Sequence, residues 1–147
     1  MEKIQLQIDS LEYEEKYHNI WGNICFKFGD RYFPDENWTD LISGVFSMWA
    51  NELMAFLQGN KSNAILRFMD GPFFVHISTE KNGHLLLSCQ NYKHEEFQVI
   101  VSQACFITEI INTVQKFLLE CDKLQPEFQN TYDYRQIKAL IQQEAIS

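Results

Sequence analysis

The chain has 147 residues and a mass of 17.4 kDa; 46% of its residues are hydrophobic, 14% aromatic and 22% charged. That describes one ordinary domain, able to bury well over half of its unfolded surface without disulfides or metal and too rich in rings to be disordered. A formal charge of −8 and a pI near 4.9 repel phosphate backbones and anionic headgroups, so direct nucleic-acid and membrane-surface binding are disfavoured and a basic partner is favoured.

The charged, strand-like start MEKIQLQIDS does not read as a signal peptide, and no apolar run reaches the ~20 residues that span a bilayer, so a cytoplasmic chain is expected. Cys25, Cys89, Cys105 and Cys121 lie far apart within apolar runs, without the clustering of a zinc site, and read as buried free thiols.

Ile4, Leu6 and Ile8 alternate with polar residues, and Ile24 to Phe28 alternates again around Cys25 and Lys27. Two antiparallel strands are predicted, and the acidic DSLEYEEKYHN between them reads as a long connection or as frayed strand ends. After Gly29-Asp30 comes FPDENW, where Pro34 holds Phe33 extended and either Asp35 or Asn37 can cap a helix. Trp38, Leu41, Ile42, Val45, Trp49, Leu53 and Phe56 recur at helical spacing, and Gly59 supplies the left-handed closure.

Ala64 to Met69, Phe73 to Ser78 and His84 to Gln90 read as strands. Asn82-Gly83 is a strong hairpin signal; Asp70-Gly71 resembles it, but Pro72 has no amide to return across a tight turn. Phe97, Val99 and Val101 predict one more strand after NYKHEE. From Ser102 the spacing of Ile107, Ile110, Ile111, Val114, Phe117, Leu118 and Cys121 is helical up to Pro126. Asp133 opens a short last helix through Ile137, Leu140 and Ile141, whose thin apolar stripe predicts peripheral docking. The expected fold is α+β: a single antiparallel meander of about five to six strands packed against two long helices, with a short C-terminal helix, in one domain over residues 1–147.

Chemistry is harder to find. If Asn82 and Gly83 are the whole hairpin loop, Lys81 faces His84 and His76 lies directly across from Cys89, a thiol beside an imidazole. Both would sit mid-strand beside Leu85, Leu87 and Phe74 with no third group to orient the ring, which reads as core before it reads as nucleophile and base. No pair of histidines has metal-ligand spacing and no glycine-rich loop cradles phosphate, so neither metal nor cofactor is expected.

Charge carries more. Between Tyr32 and Asn60 there is no lysine or arginine, but Asp35, Glu36, Asp40 and Glu52 all fall there, and Asp9, Glu12, Glu14 and Glu15 form a second cluster. Acids at a helix start complement its dipole, which accounts for the first group unless the two clusters meet in space. Opposite the apolar stripe, Asp40, Ser43, Gly44, Ser47 and Asn51 are small or short and polar. Gly44 costs about 1 kcal/mol relative to alanine, so either another element of the domain or a partner packs there. Asp35, Glu36, Asp40, Ser43, Ser47, Asn51 and Glu52 are therefore the candidate partner-binding residues.

The runs Phe33-Pro34-Asp35 and Trp38-Thr39-Asp40, then Trp49, then Phe68-Met69-Asp70-Gly71-Pro72, resemble the pattern of small bacterial immunity proteins of polymorphic-toxin and contact-dependent inhibition systems. The resemblance covers less than half the chain and does not extend beyond Val101. It implies a non-enzymatic cytoplasmic protein that blocks the active site or an essential surface of a cognate basic toxin, with Asp35, Trp38, Asp40 and Trp49 as the matching positions. An acidic surface fits a groove built for phosphates. Two rivals remain: a small enzyme with a sheet-face pocket at Cys89 and His76, and a self-associating domain joined through the small-residue helix face.

Overall fold

A computed structural model describes residues 2–92 and 94–146, the side chains of 144–146 excepted. The described residues form eight strands, and these divide into two antiparallel sheets, not the single one expected. In the first sheet β1 (Ile4–Glu14) pairs with β2 (Asn19–Phe28), whose other edge is shared by the short β3 (Arg31–Phe33) and β4 (Thr39–Asp40). The second is a meander of β5 (Asn63–Arg67), β6 (Phe73–Thr79), β7 (His84–Asn91) and β8 (His94–Ser102). The helices are α1 (Ile42–Leu57), α2 (Gln103–Leu124) and α3 (Tyr132–Ile146).

Helix side chains bond part of the main chain at one edge of each sheet. On β5 the Ile65 N–H donates to Glu52 Oε1 at 3.0 Å, and the Arg67 carbonyl accepts from the Trp49 indole at 2.7 Å, both from α1. On β1 the Leu6 N–H donates to Glu109 Oε2 at 2.7 Å and the Leu6 carbonyl accepts from Thr113 Oγ1 at 3.2 Å, both from α2. An edge whose polar groups are already bonded offers nothing to another strand. One main-chain bond, Glu2 N–H to the Ile100 carbonyl at 3.1 Å, joins the ends of the two sheets.

The acidic stretch, readable as a connection or as strand ends, is mostly strand in an ordered hairpin. Strand β1 runs on to Glu14 and β2 starts at Asn19, with a bulge between Asp9 and Glu12. The first helix, in turn, starts later than FPDENW suggests. Asn37 is left-handed, Thr39 and Asp40 pair with Asn23 and Gly22 as strand, and α1 opens at Ile42 behind Leu41, with no side-chain cap. Neither Asp35 nor Asn37 is the N-cap.

Once begun, α1 is buried on more than one face: Ser43 and Ser47 are buried along with Val45, Phe46, Trp49, Ala50 and Leu53. An aromatic chain threads the layers through it. Phe26 of β2 stacks on Trp49, Phe46 meets Phe117 of α2 edge-on, Phe117 meets Phe128, and Phe128 meets Tyr134 of α3. Each such contact adds about 0.5–1.5 kcal/mol beyond its buried area, which is where the high ring content goes. The last helix is neither short nor peripheral: α3 spans 15 residues, buries Ile137 and Leu140, and has Asp133 hydrogen-bonded to Ser47.

Candidate functional site

Asp40, expected at a partner-facing helix start, is fully buried. Alternation along β4 decides this, because Thr39 faces outward beside Asn23 and Asp40 must then face in. Its carboxylate collects four N–H donors: the Trp38 indole at 3.0 Å, Leu41 at 2.7 Å, Met69 at 3.1 Å and Asp70 at 3.1 Å. The two runs that carry the immunity-protein resemblance thus meet here. Trp38 packs edge-on against Phe73 and closely over Gly71, and Trp49 and Phe33 pack on Phe68. At these positions the pattern builds a joint between two loops.

The other helix residues are dispersed. Ser43 Oγ accepts from the Ile20 N–H at 3.0 Å, and a Cβ on Gly44 would clash with Met69 Sδ. With Ser47 bonded to Asp133, the small-residue face is filled by this chain's own elements, so Ser43 and Ser47 are not available to a partner or a second copy. Asn51 is exposed, but it lies with Glu52 in a recess beside Lys61 and Arg67. Glu52 is ion-paired with Lys61. Burial raises its carboxyl, yet Lys61 and the Ile65 amide outweigh burial and hold it below the usual range.

The thiol and imidazole do not meet. The hairpin turns through a 3₁₀ segment at Lys81–Gly83, with Thr79 opposite Leu85, one residue out of the register a two-residue loop would set. Val75 therefore faces Cys89, and His76 faces Ser88 on the other side of the sheet. Burial, with the Glu96 charge adding to it, pushes the Cys89 thiol up to about 12, the reverse of an activated nucleophile. The slip creates a different cluster, since Ser88 Oγ donates to Glu95 Oε1 at 2.5 Å beside His76. Hydrogen bonds from Ser88 and Gln98 lower the Glu95 carboxyl, which makes it a poor general base. Of the cysteines, Cys25, Cys89 and Cys121 are buried and free as expected, whereas Cys105 is exposed. Among the described residues no three His, Cys, Asp or Glu side chains group as metal ligands, and no helix is long and apolar enough to cross a membrane.

What remains is the outer face of the first sheet. Register places Gln7 beside Cys25, Asp9 beside Asn23 and Thr39, Glu12 beside Trp21, and Glu14 beside Asn19. Directly opposed residues share a face. Trp21 is 37% exposed beside Glu12, toward the hairpin end of that face. The 34–38 loop closes over Cys25: burial raises that thiol, the Asn37 backbone amide opposes this, and the Glu36 charge adds to it. The loop thereby brings exposed Glu36, with exposed Asp35 next to it in the chain, toward the side of the sheet that carries Asp9 and Glu12. Among the described residues none of these four acids has an ion pair.

A polar recess of about 490 Å³ opens on this face, walled by α2. Gln5, Gln7, Asp9, Asn23, Asn37 and Asn112 line it, with Lys116 on the helix side. Sequence reasoning passed over it because Gln5, Gln7 and Asn23 are the polar half of two ordinary strands, while Asn37 and Asn112 come from a loop and from α2. The signal present was their alternation at Gln5, Gln7 and Asp9. No family model matches the chain, and no curated protein or solved structure matches it either.

Proposed function

We propose that this protein is a non-enzymatic binding protein that occludes a basic partner, and that it serves as an immunity protein against a cognate toxin. The observation that carries the reading is the approach of the two acidic clusters: Asp9 and Glu12 lie on the outer sheet face, Glu36 acts on Cys25 of the same face with exposed Asp35 next to it in the chain, none has an ion pair among the described residues, and exposed Trp21 stands beside Glu12. Unpaired carboxylates steer a basic surface inward over a range set by salt, and the exposed aromatic side chain beside them supplies contact energy on arrival. The partner-facing set is accordingly Asp35 and Glu36 with Asp9, Glu12 and Trp21, in place of Asp40, Ser43, Ser47, Asn51 and Glu52.

The test begins with the gene immediately upstream, where a large secreted protein with a variable C-terminal domain is expected. That domain should associate with this protein more slowly as salt rises. The double variant Asp35→Lys, Glu36→Lys should lower the association rate several-fold while changing dissociation less. An association rate indifferent to salt and to this double variant would defeat the reading.

A further inference from the structure

We infer that the recess on the outer face of the first sheet recognises main-chain peptide groups, and that its occupant is a short extended segment of the partner polypeptide. The inference deepens the binding reading above and rests on that face being the docking surface. Two independent observations meet in the recess.

The first is an unpaired strand edge. Leu6 turns its N–H and carbonyl away from β2 toward Glu109 and Thr113, which sets the alternation along β1. Two residues on, Ile8 must turn its own N–H and carbonyl the same way. Ile24, directly opposite Ile8, agrees, because its N–H points away from β1 to the Trp38 carbonyl at 2.7 Å. Ile8 lines the recess, and no described residue bonds its outward main-chain groups. The helix that seals the edge at Leu6 therefore leaves it open one step later.

The second is the chemistry of the walls. Five carboxamides, from Gln5, Gln7, Asn23, Asn37 and Asn112, line the same space. A carboxamide carries a donor and an acceptor in one plane, as a peptide unit does. Asn23 Oδ1 already accepts from Thr39 at 3.0 Å, and Gln7 Oε1 accepts from the Cys25 thiol at 3.9 Å, which leaves their NH₂ groups for a ligand. A donor-only guanidinium would confront those NH₂ groups and Lys116, and an acceptor-only phosphate would confront Asp9 and Glu109. A peptide unit meets both kinds of group, and the open groups of Ile8 give it the start of a strand pairing. Ile4, turned outward by the same alternation, opens on a different cavity lined by Ala104, Cys105 and Thr108, which has no carboxamide.

The experiment titrates the full-length protein with an uncharged tetrapeptide, acetyl-Ser-Val-Ser-Val-amide, and follows the Ile8 backbone amide and the Asn23 and Asn112 side-chain amides by NMR. These resonances should shift saturably at millimolar peptide. Affinity should fall tenfold or more for the N-methylated peptide, and equally in Gln7→Met and Asn112→Met, two exposed positions whose exchange leaves the fold's spectrum intact. The inference is overturned by the absence of a saturable shift, by equal binding of the N-methylated peptide, or by arginine amide or inorganic phosphate moving the same resonances as strongly. A null result alongside salt-dependent partner association would remove the recess and leave the acidic face standing; peptide binding alongside salt-indifferent association would do the reverse.

Discussion

Within one short segment, Asp40 collects four N–H donors in the interior while Asp35 and Glu36 stand exposed without an ion pair among the described residues. The contrast extends across the molecule. Glu52 and Glu109 are also turned onto main-chain N–H groups that no strand pairs, whereas Asp9 and Glu12 face outward beside Asn23 and Trp21. Inward acids complete sheet edges and a loop joint; among the described residues the outward four join no two elements, and Asp9 accepts only from the neighbouring Ser10 N–H at 2.7 Å. Acidity that is idle in the fold is the acidity available to a partner, and substitutions should separate the two groups cleanly.

The largest effect belongs to Asp40. Asp40→Ala strands the Trp38 indole and the amides of Leu41, Met69 and Asp70 in a buried site, which should cost about 3–5 kcal/mol in chemical denaturation. Asp40→Asn, which keeps one accepting oxygen, should cost about 2 kcal/mol. A wild-type midpoint for the alanine variant would mean that the joint between the two loops holds without this carboxylate.

Next come the edge seals. Glu109→Ala and Glu52→Ala should each cost about 1–3 kcal/mol, and hydrogen exchange should speed at Leu6 in the first and at Ile65 in the second. Exchange that speeds uniformly over the chain would show a global loss and no local seal.

Protonation sharpens the comparison, because two half-buried acids have opposite signs. Glu52 is held below the usual carboxylate range in the fold, so its contribution is complete above the unfolded value and is lost as pH falls through the folded one. Asp133 is raised by burial, with Ser47 opposing, so the folded chain keeps a proton that the unfolded chain has released; its contribution is complete below the unfolded value and is lost as pH rises through the folded one. Asp133→Asn should therefore raise stability near neutral pH and flatten the approach to neutrality in a pH series of melts. Glu52→Gln should flatten the acid limb instead. The smallest change is predicted for Asp35→Lys and Glu36→Lys, within about 0.5 kcal/mol of wild type in the same melts, in contrast to their effect on association.

Much of the fold was legible because periodicity is local. Alternation at Ile4, Leu6 and Ile8 and at Phe97, Val99 and Val101 marks strands, and the spacing from Val45 to Phe56 marks a helix, whatever those elements later touch. Asp40 was misplaced for a related reason: as part of a helical pattern it falls at an exposed start, and only its pairing with Gly22 turns it inward. The imagined Cys89–His76 pair failed by a single residue of register, set by a turn one residue longer than the Asn-Gly signal suggests.

Element types, the aromatic richness of the core and the excess of negative charge belong to the sequence, because each follows from neighbours a few positions apart or from composition alone. Which edges stay closed, which acids face out and where the recess opens were decided by tertiary structure. Leu6 depends on side chains 103 and 107 residues further along the chain, and no local pattern specifies a partner at that distance.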